Sequence, residues 1–467
     1  MNNSMSNSMS NAPTFWAPWA FVDGRWQQDV LLTANEHGAW TSIEAHASCP
    51  AHAQRLNGAL LPGLVNAHSH AFQRAFAGLT ERRHVQHDDF WSWRDRMYQV
   101  ALQLTPDDVR VVARHLYAEL LAGGFTHTCE FHYLHHDQNG RPYAQPAAMM
   151  EALAAAASEV GMTLTLLPVL YQRAGFMSAT LREDQRRFAT SVDDVLMLRD
   201  VVRGWRLPQV TAGVAIHSLR AATQDAMAQL ATAVRDDAAP LHVHVAEQQA
   251  EVTQCVEATG KRPLAWLAAS GWLNARWHLV HATHSLPQEV EAVAASGAGV
   301  VLCPGTEANL GDGVCDLEGW LRTDTPVSIG TDSHVTRAWP QELQLLEYGQ
   351  RLVQQRRNVA ADAAREPSTA ARLFGRVLHG GAVAAGCTSI GFVPGARADF
   401  VVVDVQQPAL CGMPATHVLD VLVFSGAAAP FAETWVGGRR AGYTTREAQM
   451  AARDAMHGVM QRLHHAV

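Results

Sequence analysis

From about residue 60 to residue 380, short apolar runs rich in β-formers alternate with longer Ala/Leu-rich stretches, and no other feature limits the fold so tightly. The runs fall at 59–67, 125–131, 163–170, 211–216, 240–245, 277–281, 298–303 and 326–331. Strands separated by helical stretches are βα units, and their strands lie parallel. Eight such units close on themselves, so the spacing predicts an α/β chain folded as a (β/α)8 TIM barrel. The flanks read differently. FVDGRW (21–26) has a turn signal at Asp23-Gly24, and 391–405 and 433–443 again read as strand and turn. They predict a small β domain built from both chain ends, 15–60 and 390–445, around a barrel at 61–389. Residues 1–14 form a polar Asn/Ser/Met tract, expected to be a disordered tail. Residues 446–467 read as a terminal helix.

The ends of the predicted strands carry the chemistry. The first runs into Asn66-Ala67-His68-Ser69-His70 and the fourth into His217-Ser218-Leu219-Arg220. The fifth contains His242-Val243-His244 and leads to Glu247; the sixth ends in His281 and the eighth in Asp332. In a barrel of this kind, groups at the carboxyl ends of different strands converge on one mouth. Side chains two apart on a strand share a face, so His68 and His70 can reach one ion. An H-x-H pair alone is common, and a lone strand-end Asp is usually a cap. Several such signals on separate strands, in one order, are not explained by caps and packing. Three histidines (His68, His70, His244) and one carboxylate (Asp332) suit Zn²⁺, one per chain, with water completing an open site. Glu247 has two readings, a catalytic carboxylate or a cap for the helix that follows. His281 is a functional strand-end residue or a packed polar one.

The bulk numbers exclude other classes. The chain has 467 residues with 36 basic and 44 acidic ones, a net charge of −8, and no clustered basic face of the kind nucleic acid requires. The most apolar window, 149–171, contains Glu151, Glu159 and Gly161, and reads as helix, break and strand, not as a membrane span. Seven scattered cysteines without a C-x-x-C pair argue for reduced thiols and a cytoplasmic setting. Cys303 reads as a small buried residue, not a nucleophile. The run TEANLGDG (306–313), with two glycines, reads as a tight loop.

With these residues in view, PGLVNAHSH (62–70), HVHVAEQ (242–248), LVHATH (279–284), IGTDSH (329–334) and GFVPGARADFVVVD (391–404) resemble the amidohydrolase superfamily along nearly the whole chain. The likeness is to its single-metal deaminase branch. It narrows to the formimidoylglutamate deiminases through HSHAFQRAFAGLTE (68–81), FWSWRDRMY (90–98), EFHYLHH (130–136), HSLRA (217–221) and CPGTEANLGDG (303–313). The resemblance implies His68, His70, His244 and Asp332 as zinc ligands and Glu247, His281 and Asp332 as catalytic groups. It also implies Gln73, Arg94, Tyr133, His217 and Arg220 as substrate-binding residues. The implied reaction is hydrolysis of N-formimidoyl-L-glutamate, a small dicarboxylate, in histidine degradation. A homodimer is likewise implied by resemblance alone. The register at Met97-Tyr98 favours Arg94 over Arg96. Two readings compete: a deaminase of the same superfamily acting on a purine, pterin or triazine-like ring, and an inactive barrel serving as a scaffold.

Overall fold

The computed structural model describes residues 12–82, 89–426, 429–443 and 445–465. Eight parallel strands form the barrel: β1 (Leu64–Ser69), β2 (Phe125–His132), β3 (Thr163–Leu170), β4 (Val214–Ser218), β5 (Leu241–Val245), β6 (Trp277–His281), β7 (Gly299–Leu302) and β8 (Val327–Ile329). Each is hydrogen-bonded to its sequence neighbour. A parallel bridge between Ser69 and Asp332 closes the ring. There the Asp332 N–H donates to the His68 carbonyl at 3.0 Å and the His70 N–H to the Asp332 carbonyl at 3.3 Å. The predicted (β/α)8 barrel is therefore the observed one.

The strands are apolar on both faces because helices cover them outside and side chains fill them inside. β1, β2 and β3 are buried at every position. The helices carry ordinary start signals. Pro106–Ala122, for example, opens on a reciprocal cap between Thr105 and Asp108, with proline in its first turn. The apolar window 149–171 resolves into the helix Ala148–Val160, a left-handed Gly161 and β3. Among the described residues no helix is long and apolar enough to cross a membrane.

A second sheet joins the two chain ends. Its order is Arg439–Arg440, Phe431–Val436, Phe400–Val403, Ala59–Pro62, Thr14–Val22, Arg25–Ala34, Trp40–Glu44. Asp23 (φ 48°) and Gly24 (φ 74°) make the two-residue turn that pairs Val22 with Arg25. Phe15, Trp40, Phe400 and Trp435 form its core, with Phe400 stacked on Trp435 at 5.7 Å between ring centres.

Three local readings change. The predicted strand 59–67 is two strands in two sheets, broken at Gly63, where a Cβ would collide with the Thr126 side chain. The strand at 211–216 is likewise broken at Gly213: Val210–Ala212 pairs with β3, and β4 begins at Val214. Thr14, read as tail, opens the first strand of the flanking sheet, while 1–11 lie outside the described residues. The terminal helix runs Arg446–His465.

Candidate metal and catalytic centre

The chain leaves several barrel strands under strain. Ala246, His281, Ala282, Asp332 and His334 all have positive φ, between 47° and 72°. For a non-glycine residue this costs about 1–2 kcal/mol. Such strain persists where packing over-determines it, and it collects at functional sites. Here it accompanies the turning of His281 and Asp332 toward the barrel axis. Gly330, two residues before Asp332, carries no Cβ because one would press on the His68 backbone at 2.9 Å.

His68, His70, His244 and Asp332 meet at this end of the barrel. Asp332 Oδ1 lies 3.4 Å from His68 Nε2 and 3.3 Å from His70 Nε2, and His244 Nε2 lies 3.0 Å from His68 Nε2. Ligands about 2.0–2.1 Å from a tetrahedral zinc ion stand roughly 3.3 Å from each other, and these three separations are close to that. The donor atoms of His68, His70 and Asp332 form one cluster that could hold an ion, and His68 and His244 belong with His281 to a second. The His70 ring is oriented from behind: its Nδ1 donates to the Phe131 carbonyl at 2.8 Å, which leaves Nε2 free to ligate. Burial lowers His68 to about 3, with His70 adding to the effect, and it also lowers His70 and His244. All three imidazoles are therefore neutral near pH 7, as ligation requires. Burial alone would raise Asp332, but the hydrogen bond from His68 and the attraction of His68, His70 and His281 in their charged forms outweigh it and set its pKa below the usual carboxylate range.

His281 and Glu247 stand beside this group. His281 Nε2 is 3.8 Å from Glu247 Oε1 and 3.8 Å from Asp332 Oδ2. Burial pushes Glu247 up to about 7, against the pull of His281 and Arg220. Burial would lower His281, yet Glu247, Glu307 and Asp332 raise it to about 10. The cap of the following helix is Gln248, not Glu247. Glu251 fixes this turn by accepting from the backbone N–H groups of Ala246 (3.2 Å) and Glu247 (3.1 Å).

One cavity adjoins the donors and is lined by Gln73, Arg94, Tyr133, His217 and Arg220, together with His70, His244, Glu247, His281 and Asp332. Arg94 stacks 4.5 Å over Trp91, and among the described residues its ion-pair partner is Asp95 at 3.9 Å. Arg96 lies outside the lining and reaches the Arg82 carbonyl at 3.5 Å. Arg220 is 5 % exposed, lies 5.5 Å from the Phe90 and Trp91 rings, and has a buried Nη1 without a partner. Among the described residues it forms no ion pair. A buried cation with an unused donor is costly unless an anion joins it. Gln73 Nε2 donates to the Tyr133 hydroxyl at 3.1 Å, and that hydroxyl donates in turn to Met97 Sδ at 3.9 Å. The His217 ring packs 4.2 Å from Tyr171 and 5.1 Å from His244.

Several residues escaped the sequence reading. Glu130 braces the H-S-H segment from behind, accepting from Ala71 N–H at 2.5 Å and Ser69 Oγ at 2.7 Å. Gln185 accepts from the Arg182 N–H and donates to the hydroxyls of Tyr98 (2.9 Å) and Tyr171 (3.0 Å), both of which line the cavity. The TEANLGDG run is a loop only at its end: Pro304–Leu310 is helical, with Gly311 (φ 71°) as its left-handed end, and Asp312-Gly313 follow outside the helix. Its Glu307 bonds His281. Cys303 is a buried thiol that burial raises well above its usual range, in keeping with its reading as an inert residue.

Known proteins align with this arrangement. The amidohydrolase family model matches residues 59–441. A formimidoylglutamate deiminase from Pseudomonas aeruginosa is 41 % identical over 429 residues, 91 % of this chain and 93 % of its own. A 5-methylthioadenosine/S-adenosylhomocysteine deaminase from Natronomonas pharaonis is 26 % identical, over 81 % of this chain and 80 % of its own. The crystal structure of an amidohydrolase from Brucella melitensis superposes with a TM-score of 0.90 at 39 % identity, covering 97 % of this chain and 99 % of its own. A family model matched over most of the sequence, and relatives aligned almost end to end, establish that the chain belongs to the amidohydrolase family.

Proposed function

We propose that the protein hydrolyses N-formimidoyl-L-glutamate to N-formyl-L-glutamate and ammonia, with one zinc ion held by His68, His70, His244 and Asp332. Membership of the family makes the chain a hydrolase of C–N bonds. The substrate reading is supported by the similarity to a formimidoylglutamate deiminase. The observation that carries it is Arg220, buried and, among the described residues, without an ion pair, in the same cavity as Glu247 and Asp332.

Zinc, when bound, would supply a nucleophile at neutral pH by lowering the pKa of a water to about 7. Glu247 takes the proton as water adds to the formimidoyl carbon, and it returns one to the departing nitrogen, so that ammonia leaves. Asp332 shares this proton traffic. His281 Nε2, between the two carboxylates, steadies the added oxygen. Arg94 and Arg220 hold the two substrate carboxylates by forked hydrogen bonds, and Gln73, Tyr133 and His217 complete the cradle. The reading extends to a step of histidine degradation. It also includes a cytoplasmic setting, supported by seven unpaired cysteines, and a homodimer.

Arg94→Ala and Arg220→Ala are each expected to lower kcat/KM on the diacid by about 10–100-fold, the equivalent of roughly 1.5–3 kcal/mol for a hydrogen bond to a charged group. Steady-state ammonia release measures this. Wild-type kcat/KM in both variants would remove the dicarboxylate from the reading and favour a neutral ring.

A further inference from the structure

We infer that Glu307 is a positioning residue that fixes which nitrogen of His281 faces the reaction. The inference rests on the role proposed above for His281. His281 Nδ1 is 3.3 Å from Glu307 Oε1, and both side chains are buried. Its other nitrogen, Nε2, faces Glu247 and Asp332. A carboxylate can only accept from a neutral or charged imidazole, so Glu307 holds the hydrogen on Nδ1. Nε2 is then the nitrogen turned toward the reacting groups, and in the charged ring it carries a hydrogen that it can donate to the added oxygen. A carboxylate behind a working imidazole is a recurrent way to set tautomer and ring orientation.

Glu307 is itself held in place. The same Oε1 accepts the Cys303 N–H at 2.9 Å, and the Glu307 carbonyl accepts the Asp312 N–H at 2.9 Å. One residue earlier, Thr306 Oγ1 bonds Ser333 Oγ at 2.9 Å and accepts the Ser333 N–H at 3.1 Å. The first turn of Pro304–Leu310 thus grips both His281 and the loop that carries Asp332. A purely architectural role, closing the start of this helix, would use the Cys303 bond alone.

The two roles separate by substitution. In Glu307→Gln the Cys303 N–H still requires an oxygen, so the amide oxygen stays where Oε1 was and still accepts from His281 Nδ1. Glu307→Ala removes both bonds. The expected result is that Glu307→Ala keeps full zinc content and a KM within about threefold of wild type, but loses kcat by about 10–100-fold. Glu307→Gln recovers most of that loss. In ¹⁵N-histidine spectra of the zinc-loaded enzyme, with His281 assigned by His281→Asn, wild type and Glu307→Gln carry the hydrogen on Nδ1, and Glu307→Ala does not hold it there.

An Ala variant that is less heat-stable but has wild-type kcat would overturn the inference, as would equal kcat losses in Ala and Gln. So would a wild-type His281 without a hydrogen on Nδ1, a result that needs no variant to fold. If wild type releases no ammonia from formimidoylglutamate, the substrate reading falls, and the His281 spectra still decide the role of Glu307.

Discussion

His244→Ala protein is expected to leave purification with little zinc and to lose ammonia release in proportion. His244 is a neutral imidazole 3.0 Å from His68 Nε2, pressed face to face on Phe131 at 4.3 Å between ring centres. Removing it leaves His68, His70 and Asp332 as the remaining proposed donors. Losing even an outer partner of a metal ligand typically costs about 10–100-fold in affinity or activity, so losing a ligand should exceed that range. The fold is expected to survive, because β5 keeps its backbone pairing with β4 and β6. Elemental analysis and the thermal midpoint, measured on the same preparation, separate metal loss from unfolding. Full zinc content and wild-type turnover in His244→Ala would remove this residue from the centre.

Glu247→Gln should behave differently. Among the described residues Glu247 belongs to none of the side-chain groups close enough to share an ion, so zinc content is expected to match wild type. The amide has the carboxylate's size but cannot take up and return a proton. Positioned proton transfer is worth about 10²–10⁴ in rate, so kcat should fall by about that factor while KM moves only a few-fold. Steady-state kinetics check both parameters. An unchanged kcat would return Glu247 to an architectural role. Asp332 would then be left as the carboxylate facing His281 Nε2.

The parts of this fold that were legible in the sequence are those set by local periodicity. His68 and His70 share a face because strand side chains alternate, and the Asp23-Gly24 turn follows from two residues that tolerate positive φ. The eight strands were visible as apolar runs, since a parallel sheet covered by helices needs no polar alternation. Their breaks were not. Gly63 and Gly213 interrupt strands because of what packs against them, Thr126 in one case and the Pro240 carbonyl in the other. That pressure comes from neighbouring strands, and the local sequence carries no sign of it.

The candidate site divides the same way. Its first ring of residues sat at strand ends and could be read directly. The residues behind them could not. Glu130 is 61 positions from Ser69, and Glu307 is 26 positions from His281; each pair meets only when neighbouring barrel strands align. The glycines of TEANLGDG suggested a loop, whereas Gly311 ends a helix and Pro304 opens it. Arg220 could be named from its place after β4. Its burial without an ion pair among the described residues, on which the substrate reading turns, emerged only in three dimensions.

The central claim is most directly tested by ammonia release from N-formimidoyl-L-glutamate, measured with the purified zinc-loaded enzyme beside N-formimidoyl-L-aspartate, guanine and cytosine. The account predicts that the glutamate compound is turned over with the highest kcat/KM and that the neutral rings release little or nothing. Release from guanine or cytosine as fast as from formimidoylglutamate would contradict it, leaving an amidohydrolase whose paired arginines serve some other end.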